Sequence, residues 1–473
     1  MNRQDILYSP SGDLGVITAI STPLGMGAIA VIRLSGEGSI ALTDKVFQSL
    51  SGRKLAELKP NSALFGKIIR DNEVLDEVVV TVFHAPHSFT GEETVEISCH
   101  GSVYIQQKIV ELLLAEGARL AQAGEFTRRA FQNGKFDLSQ AEAVADLIAS
   151  SSRASHRVAM NQMRGGFAHK LAQLRDKLLQ FVSLIELELD FSEEDVEFAN
   201  REQLYELTEN IESEISKLAD SFQLGNAIKH GIPVAIIGET NVGKSTLLNL
   251  LLNEEKAIVS DIHGTTRDVI EDTVNIGGVT FRFIDTAGIR NTTDTIESLG
   301  IERTFQKIEQ ASIVLWMIDL TTSDREIETL AQSIVPKLDE KQVILLFNKA
   351  DLFSDEQLAE KSKLLSQLQA ERLFISAKKH RNTNKLVEVL LKVAEIPSIG
   401  ENDVIVTNLR HYEALVKALE AIHRVKDGLD MGITSDFVSQ DIRECMFYLG
   451  EITGQISTDE VLGNIFSKFC IGK

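Results

Sequence analysis

The octapeptide Gly238-Glu-Thr-Asn-Val-Gly-Lys-Ser245 constrains the fold more than any other stretch of the chain. It follows the apolar run Val234–Ile237 and opens into Thr246-Leu-Leu-Asn-Leu-Leu, a helix start. A glycine-bearing loop between strand and helix is the setting in which GxxxxGK[ST] cradles a polyphosphate. The glycines let the backbone of Asn241, Val242 and Gly243 curl until its amides face phosphate oxygens, and the helix N-terminus at Thr246 adds positive potential. Lys244 can then reach the β- and γ-phosphates, and the Ser245 hydroxyl can ligate Mg²⁺. Residues 230–395 supply the surrounding sheet. Strand-like runs at 234–237, 281–284, 313–318, 343–347 and 373–375 alternate with helical pattern, which predicts a mainly parallel sheet covered on both faces.

A P-loop alone leaves adenine and guanine undecided. Asn348-Lys-Ala-Asp351 closes an apolar strand, where open α/β sheets place their ligands. The Asp351 carboxylate can accept from guanine N1–H and the exocyclic amine, a donor pair that adenine lacks. Asn348 and the Lys349 stem would frame the base, with Ala350 between them and Asp351. Ser376-Ala377-Lys378 follows the next strand, where a backbone amide can meet the guanine O6. For the γ-phosphate, Asp285-Thr286-Ala287-Gly288 offers a carboxylate for a Mg²⁺-bound water and an amide from Gly288. The stretch Ser260, Asp261, Ile262, His263, Gly264, Thr265 and Thr266 lies between these motifs, and Thr266 is the natural second hydroxyl on Mg²⁺. Loss of the γ-phosphate would release both segments, so they are expected to switch. Many such hydrolases orient the attacking water with a glutamine after the aspartate–x–x–glycine, but Ile289 stands there. The water and a compensating positive charge need other groups. Asn241 is a candidate for a cation site, and Asp294 and Glu297 are equal candidates for the water.

The remaining chain is organised around this domain. At 473 residues it exceeds what one core usually organises. Residues 1–133 carry short strand-like runs punctuated by glycine, a small α+β domain. Residues 134–229 show apolar stripes at helical spacing (Leu171, Leu174, Leu178, Phe181, Ile185, then Leu204, Leu207, Ile211, Ile215) and are read as bundle core. Residues 396–473 are helical again, so the helical domain is discontinuous, with the α/β domain of 230–395 inserted into it. No apolar run is long enough for a bilayer, and the N-terminus lacks a secretory pattern. Three scattered cysteines fit a reducing, cytoplasmic home. A net charge of −21 argues against long-range attraction to nucleic acid, so RNA contact would fall to a local basic patch or a partner.

Together with Ser88-Phe-Thr-Gly-Glu92, Gly124-Glu-Phe-Thr127, Ala141–Ile148 and the terminal Phe469-Cys-Ile-Gly-Lys473, this motif order resembles the MnmE (TrmE) family of tRNA-modifying GTPases across essentially the whole chain. The resemblance implies a homodimer formed through N-terminal domains that bind a tetrahydrofolate, 5-formyl or 5,10-methylene, and K⁺-stimulated G domains that dimerise across GTP. It implies a partner, MnmG, which carries the FAD, in an α2β2 or larger complex. Their joint product is a carboxymethylaminomethyl or aminomethyl group at C5 of the wobble uridine of certain tRNAs, which contact either this chain or mainly MnmG. Carried onto this sequence, the resemblance places K⁺ on the Asn241 side chain and the main-chain oxygens of Ser260, Ile262 and Thr265, and Mg²⁺ on Ser245 and Thr266. It assigns catalysis to Glu297 with Lys244, folate contacts to Arg33, Glu96, Lys135 and Lys473, and a functional thiol to Cys470. Glu239-Thr240 and Ser260 depart from the common family pattern, at positions where main-chain atoms do the binding. A regulatory or ribosome-assembly GTPase, whose outer domains only recognise a partner, is the competing expectation.

Overall fold

The computed structural model describes residues 15–190, 201–254, 272–284, 305–339, 341–394, 400, 403–456, 459–467, 469 and 472. The chain divides into two compact units, one of residues 1–145, 162–180 and 446–473, the other of residues 146–161 and 181–445. The architecture combines an N-terminal α+β domain, long helices and an α/β P-loop domain.

The first unit is built on a seven-stranded sheet in the order β3-β4-β5-β6-β2-β1-β7. Its strands are β1 (Ile17–Ile20), β2 (Ile29–Ser35), β3 (Phe47–Ser49), β4 (Ser62–Arg70), β5 (Glu73–Phe83), β6 (Thr94–His100) and β7 (Arg119–Leu120). All neighbours are antiparallel except β1 and β7. Alternation explains the layering: Val78, Val80 and Val82 of β5 are buried, whereas Glu77 and Val79 face outward. The buried set joins Ile32, Leu34, Val95 and Ile97 beneath α1 (Ser39–Val46) and α2 (Val103–Ala115). The same unit holds α3 (Glu125–Gln132), and Phe466 from the helix Asp459–Ser467 packs beside Phe131 and Leu138. Gly124 is required there, because it sits at φ 64° and a Cβ would lie 2.7 Å from the Phe466 carbonyl oxygen.

The second unit contains a six-stranded sheet, β13-β12-β11-β8-β10-β9. It comprises β8 (Ile232–Ile237), β9 (Asp272–Ile276), β10 (Val279–Phe283), β11 (Ile313–Asp319), β12 (Gln342–Asn348) and β13 (Glu371–Phe374). Only the β9–β10 hairpin is antiparallel. Both faces are covered, so the central strands are apolar throughout. Val234, Ile236, Leu315 and Met317 enter one core, and Ala235, Ile237, Val314 and Trp316 the other. Beside this sheet, α4 (Arg201–His230) packs antiparallel to the helix Leu409–Met431: Phe222 stacks on Tyr412 at 4.6 Å, and Lys426 pairs with Glu209 and Glu212. No helix among the described residues is long and apolar enough to cross a membrane.

Candidate functional site

Strand β8 delivers the chain into the P-loop, and α5 (Lys244–Glu254) carries it away. Gly238 has φ 139°, and any Cβ there would collide with the Met317 carbonyl oxygen of β11. Asn241 is held at φ 61° and Gly243 at φ 107°, where a Cβ would stand 2.5 Å from Asn348 Nδ2. The loop thus lies directly on the ends of β11 and β12, and its glycines answer to close approach as well as to curl.

Asn348 fixes that approach. It is buried; its Nδ2 donates to the Val242 carbonyl at 2.6 Å, and its Oδ1 accepts from the Ala377 amide at 3.0 Å. One side chain therefore ties the phosphate loop to the Ser376–Lys378 loop, and both its polar ends are engaged by protein rather than turned to a base. Ser376 and Arg381 exchange backbone hydrogen bonds, both 3.1 Å, and brace the same loop. Lys349 sits at φ 64°, with its ammonium 2.5 Å from Asp319. The Asp351 carboxylate lies 3.4 Å from Lys379 Nζ. A hydrogen bond from Ser376 chiefly holds the Asp351 carboxyl below its ordinary range, with Lys379 adding to the effect. It is ionised at neutral pH, as acceptance from two guanine donors requires.

Lys244 folds back on its own loop, donating to the carbonyls of Gly238 and Glu239, both at 2.6 Å. Burial, then the neighbouring Lys307 charge, lower its ammonium to about 8, and Glu239 works in the opposite sense. Below that pH the free protein holds a charged Lys244. Above it, the amine must regain a proton when phosphates arrive, because a polyphosphate stabilises the charged form. GDP affinity is therefore expected to fall as pH rises from 8 toward the ordinary lysine value of 10.5, with proton uptake on binding. Titration calorimetry at pH 9 in two buffers of different ionisation enthalpy checks this; equal heats in both would contradict it. Ser245 and Thr246 lie in the first turn of α5. Ser260, Asp261, Ile262, His263, Gly264, Thr265, Thr266, Asp285, Thr286, Ala287, Gly288, Asp294 and Glu297 fall outside the described residues, as do Cys470 and Lys473.

The first unit brings together a second constellation. Arg33 on β2 stands opposite Glu96 on β6, and Arg33 Nη2 and Nε meet Glu96 Oε1 at 2.7 and 3.0 Å. The guanidinium carbon is 5.4 Å from the centre of the Phe89 ring and 5.8 Å from that of Phe126. Lys135 Nζ donates to the Pro86 carbonyl at 2.9 Å, and its stem lies against Gly91. The segment 86–91 therefore connects three of the expected folate contacts. Its base is held by Glu92, whose Oε2 accepts from Ser35 at 2.7 Å and from the fully buried Arg129 at 3.1 Å. Arg129 also reaches Glu125 at 3.2 Å and the Gly15 carbonyl at 3.0 Å. Gly472 joins this region: its carbonyl accepts from Ser21 Oγ at 3.2 Å, and its close approach to Ile20 leaves no room for a Cβ. Ile20 ends β1, the strand whose Ala19 pairs with Arg33. Gly472 thus lies within one strand of the Arg33–Glu96 pair.

Sequence reading missed Phe89 as an aromatic wall and Arg129 as a buried cation. The quoted motifs 88–92 and 124–127 contain Glu92 and Glu125, so their contact through Arg129 is the signal that joins them. Burial raises Cys99 to about 11 and Cys445 to about 12, which leaves both thiols inert at neutral pH.

A family profile described as the MnmE helical domain matches residues 138–470, and one described as the GTP-binding protein TrmE N-terminus matches residues 16–135. The tRNA modification GTPase MnmE of Bacteroides thetaiotaomicron is 61% identical over 461 residues, covering 97% of this chain and 99% of its own length. The same-named protein of Flavobacterium johnsoniae is 54% identical over 460 residues, again covering 97% and 99%. Among solved structures, Aquifex aeolicus Era bound to GDP·AlF4⁻ is 33% identical over 40% of this chain and 66% of that one, with a TM-score of 0.27. With both profiles matched and relatives aligned over nearly their whole length, the chain belongs to the MnmE (TrmE) family of tRNA modification GTPases.

Proposed function

We propose that this protein hydrolyses GTP in a K⁺-stimulated manner as its G domains pair. With MnmG and a one-carbon tetrahydrofolate, it would install the carboxymethylaminomethyl or aminomethyl group at C5 of a tRNA wobble uridine. The observation that carries the reading is the pairing, in one chain, of a guanine-type P-loop site with the Arg33–Glu96–Lys135 constellation beside the C-terminal Gly472.

In the G domain, P-loop amides and Lys244 hold the phosphates, Asp351 reads N1–H and the exocyclic amine, and the Lys349 stem covers the base. Because Ala377 N is engaged by Asn348, the neighbouring Lys378 amide is the one we assign to guanine O6. Ser245 and Thr266 would hold Mg²⁺. Asn241, with the carbonyls of Ser260, Ile262 and Thr265, would hold K⁺, which supplies positive charge where phosphate charge builds up. Glu297 would orient the attacking water.

The folate site fits its ligand chemically. A pterin presents an amide-like edge of donors and acceptors suited to Glu96 and Arg33, Phe89 supplies an apolar wall, and Lys135 and Lys473 suit a glutamate tail. A bound folate would supply the one-carbon unit; the protein's part is to orient it. Mainly through MnmG, tRNA would reach this site in an α2β2 or larger assembly in the cytoplasm.

Equilibrium titration with 5-formyltetrahydrofolate tests the reading against a purely regulatory or ribosome-assembly switch. Saturable binding is expected, weakened about tenfold or more in Arg33→Ala by loss of a charge-assisted contact. A folded chain that shows no saturable binding would favour the regulatory switch.

A further inference from the structure

Guanine-reading residues in the second unit rest on a carboxylate outside the recognised motifs. Asp319 is the last residue of β11, in parallel register with Asn348 at the end of β12. Its Oδ1 accepts from the Thr321 amide at 2.9 Å and the Thr321 hydroxyl at 2.6 Å, so the carboxyl group is fixed before any ligand arrives. The other oxygen, Oδ2, lies 2.5 Å from Lys349 Nζ. Lys349 itself is held in the left-handed region at φ 64°. The register also binds the two strand ends through the Leu320 amide and the Asn348 carbonyl, 3.3 Å apart.

A lysine beside a purine can present two different surfaces. Its ammonium is strongly hydrated and gains little over a neutral ring edge, whereas its methylene stem covers the ring face and excludes water. A fixed anion at the far end of the side chain selects the second arrangement.

We propose that Asp319 is a positioning residue for base recognition: it draws the Lys349 ammonium to the strand end so that the methylene stem lies over the purine. This rests on the reading of Asn348–Asp351 as the guanine site. Asp319 acts on the face of the base, and Asp351 acts on its edge. The two contributions separate by ligand. Face coverage is common to guanine and hypoxanthine, whereas the exocyclic amine read by Asp351 is present only in guanine.

Binding of fluorescent GDP and IDP to the full chain distinguishes them, with ADP as the control for the underlying reading. Wild-type protein should prefer GDP over ADP strongly; equal affinity would remove the guanine-site reading itself. Given that preference, Asp319→Asn should weaken GDP and IDP by the same factor, about tenfold, with KM for GTP rising and kcat retained. Because Asp319→Asn could act only by loosening the fold, it is repeated in a Lys349→Met background. If Asp319 works through Lys349, the second substitution adds no further loss of affinity there. Unchanged GDP affinity in Asp319→Asn, or an equal loss in the Lys349→Met background, would overturn the proposal. So would a loss confined to GDP.

Discussion

Asp351→Asn should lose the guanine preference of this protein, lowering GDP affinity by about a hundredfold or more, because one of two charge-assisted hydrogen bonds to the base edge becomes a donor–donor clash and the other loses its charge. The effect belongs to the base and not to the phosphates. Asp351 hydrogen-bonds within the Ser376 loop and lies beside Lys379, whereas Lys244, the residue assigned to the polyphosphate, donates to the carbonyls of Gly238 and Glu239. An asparagine there offers an amide N–H as well as an acceptor. It therefore complements a carbonyl at purine C2, which xanthine has in place of the guanine amine. Xanthosine triphosphate should accordingly restore binding and turnover to the variant while serving the wild-type protein poorly. Competition of GDP and XDP for a fluorescent nucleotide measures the exchange. If Asp351→Asn kept its affinity for GDP, the base would be read elsewhere.

Glu297→Ala should leave GTP binding intact and slow hydrolysis by about 100- to 1,000-fold, the usual range for loss of a group that orients a reacting water. Ile289 makes this the sharpest catalytic test, since an isoleucine offers no atom for the task. The companion effect concerns charge. Turnover in KCl should exceed that in NaCl of equal ionic strength by more than about tenfold, since a cation bound there would take the part of an arginine finger. Asn241→Ala should abolish that difference. Asn241 already stands at φ 61° in the P-loop and is exposed. Single-turnover GTP hydrolysis in the two salts reads both effects. An undiminished rate in Glu297→Ala clears that residue, and equal rates in the two salts exclude the cation.

Much of the fold is legible in the sequence, and the reason is physical. A P-loop needs glycine, lysine and a hydroxyl at fixed spacing between a strand and a helix, so both motif and context are written locally. Fully buried parallel strands such as β11 and β12 are continuous apolar runs and stand out for the same reason. Short or alternating strands did not stand out. β1, β3, β7 and β9 have two to five residues each, and β4 alternates exposed and buried positions within a region read only as small α+β. Side-chain partnerships that depend on register were equally hidden. Asn348 was expected beside the base, yet its two polar ends join the P-loop to the Ala377 amide, a bond across 29 residues that no spacing rule encodes. Arg129 reads as one more surface arginine on a short helix, but it is fully buried, with Glu92 and Glu125 as its counter-charges. Its burial is what shapes the segment carrying Phe89. Asp319 was passed over because a single aspartate after an apolar strand is ordinary; the parallel register with Asn348 gives it meaning.

The link between nucleotide hydrolysis and the first unit is open to one direct measurement. Unmodified tRNA is incubated with this protein, MnmG, 5,10-methylenetetrahydrofolate, a nitrogen donor and GTP, and the wobble nucleoside is quantified by mass spectrometry. Modified uridine should accumulate in the complete mixture and fall to background when GTP is replaced by a non-hydrolysable analogue or when Glu297→Ala replaces the wild-type chain. Modification that proceeds equally well with the analogue, or without this protein, would contradict a GTPase that works on tRNA.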